Sequence, residues 1–166
     1  KKIELDDKFL FKVTQEIINK SAENIELYPY AQITRNQDPN VTDFYILHEG
    51  FIGVFDEDLE EVSYSDIEDR KKEFNAKDGW LGITDKYWMT ALVPEKGKSF
   101  IGEFLFKIGL KANYIQNEGK VIKASSSGYS ETKIFIAAKE VKVIDGYAES
   151  ENINKFDLII DWGWFY

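Results

Sequence analysis

The sequence predicts an all-β fold, an antiparallel sandwich with one late amphipathic helix. Three observations lead there. Short runs in which apolar and polar residues alternate recur along most of the 166 residues. Turn-forming residues separate those runs at short, regular intervals. Only after Lys139 does the apolar spacing change to that of a helix.

The first strand is expected over residues 8–19. Phe9, Phe11, Val13 and Ile17 fall on one face, and Lys12, Thr14 and Glu16 on the other. Residues 19–24 form a polar turn. Alternation resumes at Ile25, passes an edge or bulge at Pro29, and continues through Ile33. This second stretch is expected to pair with the first as a long antiparallel pair. Residues 35–40, with Asp38-Pro39-Asn40, read as a loop, and residues 44–47 as a short apolar run. Residues 51–55 and 59–64, joined by Asp56-Glu57-Asp58, read as a hairpin. The charge-dense stretch 66–78 is expected to be an exposed loop or short helical turn.

Residues 79–84 and 87–94 carry little charge and are broken only by Asp85-Lys86. They read as two buried strands with a tight turn, or as one long bent strand. Further strands are expected over 100–107, 112–116, 120–124 and 131–138. Asn117-Glu118-Gly119 is a turn, and Ser125-Ser126-Ser127-Gly128 a loop. Val141, Ile144, Tyr147 and Ala148 mark one face of a helix within residues 139–153. Gly146 weakens it by about 1 kcal/mol relative to alanine. The total is nine to eleven strands and one helix. No internal repeat or linker interrupts residues 1–166, so a single domain is expected.

A net charge of −9 argues against a nucleic-acid partner, which selects a basic face. The absence of cysteine excludes disulfides, thiolate metal sites and a cysteine nucleophile. No run of about 18 apolar residues is present to span a bilayer. The chain opens on Lys1-Lys2-Ile3-Glu4-Leu5, without a signal peptide or initiating Met, so both ends read as cuts through a longer protein.

Catalytic candidates are few. His48 is the only histidine, and Ile52 stands where a zinc-protease pattern needs a second one. Asp157 and Asp161 are four residues apart, a spacing that places both on one face of a strand or helix. Among 30 acidic residues such a pair arises by chance, and a local structural role is expected for both. Gly53, Gly79, Gly82 and Gly102 fit bulges or close sheet packing, and no glycine-rich loop opens a helix. No catalytic residue, metal or cofactor is expected.

Four of the last five residues are aromatic: Trp162, Trp164, Phe165 and Tyr166. Tryptophan and tyrosine are favoured where one end of the ring is dry and the other wet, as at a membrane boundary. A terminal strand or helix tucked into a core is the other reading.

Two longer stretches carry a resemblance. Gly79-Trp80-Leu81-Gly82-Ile83-Thr84-Asp85-Lys86-Tyr87-Trp88-Met89-Thr90-Ala91-Leu92-Val93-Pro94 resembles a signature segment of the YidC family of membrane protein insertases. Phe156-Asp157-Leu158-Ile159-Ile160-Asp161-Trp162-Gly163-Trp164-Phe165-Tyr166 resembles the junction from that family's periplasmic domain to its next transmembrane segment. Tyr28-Pro29-Tyr30, His48-Glu49-Gly50-Phe51-Ile52-Gly53 and Ala137-Ala138-Lys139-Glu140 are shorter matches. The resemblance implies a β-supersandwich similar to galactose mutarotases, of which this chain is the C-terminal portion. It implies a non-catalytic periplasmic domain of an inner-membrane insertase and chaperone. The partners implied are the Sec translocon accessory subunits (SecDF) and nascent membrane proteins. It also makes Trp162, Trp164, Phe165 and Tyr166 membrane-proximal. The alternative is a carbohydrate-binding or carbohydrate-active sandwich, in which Trp80, Tyr87 and Trp88 stack on a sugar ring.

Overall fold

Alternation along the chain becomes strand after strand in the computed structural model, which describes residues 1–36, 47–67 and 71–163. In chain order the strands are β1 (Lys2–Leu5), β2 (Leu10–Ile18), β3 (Ile25–Leu27), β4 (Tyr30–Arg35), β5 (Gly50–Phe55) and β6 (Asp58–Val62). A 3-10 turn, Tyr64–Ile67, leads to β7 (Lys72–Ala76), β8 (Gly79–Thr84), β9 (Trp88–Val93) and β10 (Phe100–Phe106). Then come β11 (Leu110–Gln116), β12 (Lys120–Ile122), β13 (Ser127–Ala138), helix α1 (Val141–Ser150) and a second 3-10 turn, Phe156–Ile159. The expected loop at Asp38-Pro39-Asn40 and nearly all of the apolar run 44–47 lie outside the described residues, as do Trp164, Phe165 and Tyr166.

A seven-stranded sheet has the order β1-β2-β13-β9-β8-β5-β6, and a four-stranded sheet the order β4-β11-β10-β7. β3 and β12 form a separate ribbon. Neighbouring strands pair antiparallel throughout. The central strands of the larger sheet are apolar on both faces because both are covered. In β5, Phe51 and Phe55 enter a core shared with the four-stranded sheet, while Ile52 and Val54 enter a second core under α1. β8 divides likewise: Leu81 and Ile83 point to the first core and Trp80 to the second.

Stacked rings fill the gap between the sheets. Phe51 lies 5.0 Å from Phe104, and Phe55 lies 4.5 Å from Phe74, centroid to centroid. On the far face Trp80 is fully buried, meets Phe156 edge-on at 5.7 Å, and donates from Nε1 to the Asn154 carbonyl. α1 contributes Ile144 and Tyr147 to this core, followed by Ile153, Phe156 and Ile159.

Four expectations are corrected. β2 pairs with β1 and β13, not with the 25–33 stretch, because β3 and β4 are drawn away to β12 and β11. Phe9 precedes β2 with a left-handed backbone and is exposed, so it does not share the face of Phe11. Strand β7 occupies part of the charged 66–78 stretch: Phe74 and Ala76 face inward while Glu73 and Asn75 face water. Val141 heads the helix but is exposed, since the sheet lies under Ile144 and Tyr147 one turn later.

Candidate functional site

The two sheets differ by three strands, and the mismatch leaves part of the larger one without an opposing strand among the described residues. The four-stranded sheet ends at β4, which sits over β9: Ile33, Thr34 and Arg35 share a groove with Ile83, Trp88 and Thr90. Beyond β4, the same inner face continues over β13, β2 and β1. Strand register aligns Leu5 with Phe11 and Ile134, and Ile3 with Val13. This strip is apolar, and Ile3 and Leu5 are exposed. The β3–β12 ribbon covers only its far end, where Ile17 and Ser130 line a groove with Tyr28, Tyr30 and Ile122. β4 borders the strip as an edge strand, so its outer backbone groups have no partner strand among the described residues. The geometry suits an added strand whose apolar side chains drop onto Phe11, Val13 and Ile134.

At one end of the sandwich a polar network ties together segments far apart in sequence. The Asp161 carboxylate accepts the His48 amide at 2.9 Å and the Gly163 amide at 2.7 Å. The Lys139 amide donates to the Tyr87 carbonyl at 2.8 Å, and the Glu49 carboxylate accepts the Lys86 amide at 3.0 Å. Arg35 pairs with Asp85 and joins the edge of the small sheet to the β8–β9 turn. Burial pushes the Lys139 ammonium below the usual lysine range, and Asp161, Glu49 and Asp85 keep it from falling further. Burial pushes Tyr64, beside Arg35, up to about 12.

Of the catalytic candidates, His48 and Asp161 are used structurally. The His48 ring donates from Nε2 to the Phe51 carbonyl at 2.9 Å. Asp161 holds the His48 loop, while Asp157 lies exposed on the second 3-10 turn, so the two carboxylates do not share a task. No group of three or more His, Cys, Asp or Glu side chains able to hold a metal occurs among the described residues. Gly79 and Gly82 are close-packing positions. A Cβ at Gly82 would lie 2.0 Å from the Thr90 carbonyl oxygen.

Of the aromatics proposed for sugar stacking, Trp80 is buried, whereas Tyr87 and Trp88 are exposed. Trp88 and Phe9 flank a groove of about 480 Å³ floored by Ile136 and Ala137. Of the four membrane-proximal candidates only Trp162 is described, and it is half-exposed at the end of the sandwich that carries Asp161. Ile3, Leu5, Phe106 and Ile108 were not singled out in the sequence. Ile3 and Leu5 lie on β1, which precedes the first strand expected from the sequence, residues 8–19.

Comparison with known proteins agrees with the resemblance. The family described as the YidC periplasmic domain matches residues 1–166. A membrane protein insertase YidC of Pelagibacter ubique is 51% identical over 166 residues, which are 100% of this chain and 30% of that protein. The YidC insertases of Nitrobacter hamburgensis and Sinorhizobium medicae are 38% and 39% identical over 99% of this chain. The chain thus spans under a third of each of these relatives, which it covers to 30%, 29% and 28%. Matched along its whole length, this chain belongs to the YidC periplasmic domain family.

Proposed function

We propose that this chain is the C-terminal portion of the periplasmic domain of a membrane protein insertase, and that its role is interaction and positioning without catalysis. The observation that carries this reading is the apolar strip of β1, β2 and β13 beside the open edge of β4. Further strands of the same periplasmic domain extend the small sheet from β4 and cover the strip. The assembled sandwich stands on the outer side of the inner membrane, linked by the segment after Tyr166 to the next transmembrane helix. There it positions the Sec translocon accessory subunits (SecDF) and assists nascent membrane proteins as they insert and fold. The commitment of His48 and Asp161 to backbone contacts supports a role without bond chemistry.

The test uses the intact insertase with and without the region corresponding to this chain. Loss of SecDF on co-purification, with reporter insertion reduced but not abolished, is expected. Unchanged SecDF recovery and unchanged insertion overturn the reading. Saturable sugar binding that quenches tryptophan emission, and is lost on Trp88→Ala, would favour a carbohydrate-binding sandwich instead.

A further inference from the structure

The outward face of the four-stranded sheet holds a polar group with no partner. Ala112, Tyr114, Phe104 and Phe74 point into the core, so the alternate positions of their strands point to water. Register sorts these outward residues into rows across the sheet. Tyr30, Ile115 and Ile101 align in one row. Gln32, Asn113, Glu103 and Glu73 align in the next. Neighbours within a row stand about 4.8 Å apart, and the two rows about 7 Å apart.

Most polar groups of the second row are already held. The Tyr30 hydroxyl donates to the Gln32 amide oxygen at 2.7 Å, and the Gln32 amide nitrogen donates to the Thr34 hydroxyl at 2.7 Å. The Lys71 ammonium bridges Glu73 and Glu103 at 2.7 Å from each. Asn113 is the exception. It is 4% exposed, and its Oδ1 has no hydrogen-bond partner. A buried acceptor without a donor is destabilising, and native folds seldom leave one. Gln116 Nε2, the other such atom among the described residues, shares the inward register of Tyr114. Asn113 is hidden only by side chains of its own face, among them Gln32, Tyr30 and Ile115, which are exposed. A ligand that lifts the Gln32 side chain reaches it.

The chemistry of the face selects the ligand. Asn113 requires a donor, and the Glu103 and Glu73 beside it are acceptors. Two outward lysines, Lys71 and Lys111, balance these two carboxylates, so the face calls for no net charge. The row of Tyr30, Ile115 and Ile101 offers an apolar platform, with Tyr30 and Ile115 exposed. A sugar meets all three demands, with its C–H face for the platform and its hydroxyl groups for the polar row. A hydroxyl suits the Asn113 amide either way round, donating to its oxygen or accepting from its nitrogen.

We propose that this face binds a neutral carbohydrate chain, with Tyr30 and Ile115 beneath a sugar ring and Asn113 accepting a hydroxyl. A cationic side chain of a protein partner fits less well, because Lys71 already neutralises both carboxylates. The row faces away from the uncovered strip, and Trp88 stands on the other sheet. The inference goes beyond the interaction role given above and adds a ligand to it.

The experiment uses the intact insertase in lipid nanodiscs free of glycoside detergent. Chitotetraose and maltotetraose are the probes, followed by saturation-transfer NMR and titration calorimetry. Saturable binding of at least one is expected. Tyr30→Ala and Asn113→Leu should each weaken it several-fold, Tyr30→Phe should retain it, and Trp88→Ala should leave it unchanged. Tyr30 is exposed, so its variants carry the test even where Asn113→Leu fails to fold. No saturable binding of either sugar at millimolar concentration overturns the proposal. So does binding that Tyr30→Ala leaves intact or Trp88→Ala abolishes. SecDF co-purification keeps the two readings apart: SecDF recovered without sugar binding sinks this proposal alone.

Discussion

The Tyr114 hydroxyl on β11 meets the Thr132 hydroxyl on β13 across the gap between the two sheets. Both residues are buried, so this is a polar clamp between the two sheets. Burial pushes the Tyr114 phenol up to about 12, even though its bond to Thr132 acts the other way. The clamp lies where the covered part of the larger sheet gives way to the uncovered strip, and it fixes how far β11 stands from β13.

Replacing Tyr114 with Phe should cost about 1–3 kcal/mol, because the Thr132 hydroxyl loses its partner in a dry site. The pH dependence follows from the raised folded value. Below the ordinary tyrosine value of 10.0 the contribution is complete, and it is lost as pH rises through about 12. Urea unfolding across that window should show a steep loss for the parent chain and a shallower one for Tyr114→Phe. Tyr64, also raised to about 12, and Tyr30 and Tyr147, both raised by burial, contribute to the remainder. Equal slopes for the two proteins would remove Tyr114 from this explanation.

The late helix should depend on one residue more than on its neighbours. Ile144 is fully buried against the larger sheet, so Ile144→Ala should cost about 2–5 kcal/mol. Val141→Ser, on the exposed first turn, should stay within about 0.5 kcal/mol. Denaturant midpoints measured side by side decide it. Similar costs at both positions would mean that the helix is seated differently.

Gly82 has no room for a methyl group. Its Cβ would press on the backbone of β9 at Thr90 and Ala91, which the paired strands cannot move apart. Gly82→Ala should therefore exceed about 3 kcal/mol, the top of the usual overpacking range. Gly146→Ala, with nothing within 4 Å of its Cβ, should stabilise the helix by up to about 1 kcal/mol. A Gly82→Ala protein that unfolds at the parent's midpoint would contradict the close approach of β8 and β9.

The isolated chain should associate through its open edges. β1 ends the larger sheet and exposes Ile3 and Leu5 beside the uncovered strip. Sedimentation velocity at rising concentration should show dimers or larger species. The double variant Ile3→Lys, Leu5→Lys should shift the distribution to monomer, since charge on an edge strand opposes pairing. A monodisperse parent chain at millimolar concentration would count against an open strip.

The sequence by itself determined the class of fold, because period-two alternation and short turns are local properties. It also marked the late helix, through the change of period that places Ile144 and Tyr147 on one face. The family resemblance was legible in the tryptophan-rich stretch around Gly79–Thr84 and Trp88–Val93. Which strand pairs with which was not legible. β2 and the 25–33 stretch are neighbours in sequence, yet β2 finds β13 more than a hundred residues later, because side-chain alternation says which face is buried and not what covers it. The tertiary structure alone decided that Trp80 is buried and Trp88 displayed, although both stand in apolar strands. It alone gathered Gln32, Asn113 and Glu103 in one row, since that grouping depends on strand pairing and register, which no local pattern encodes.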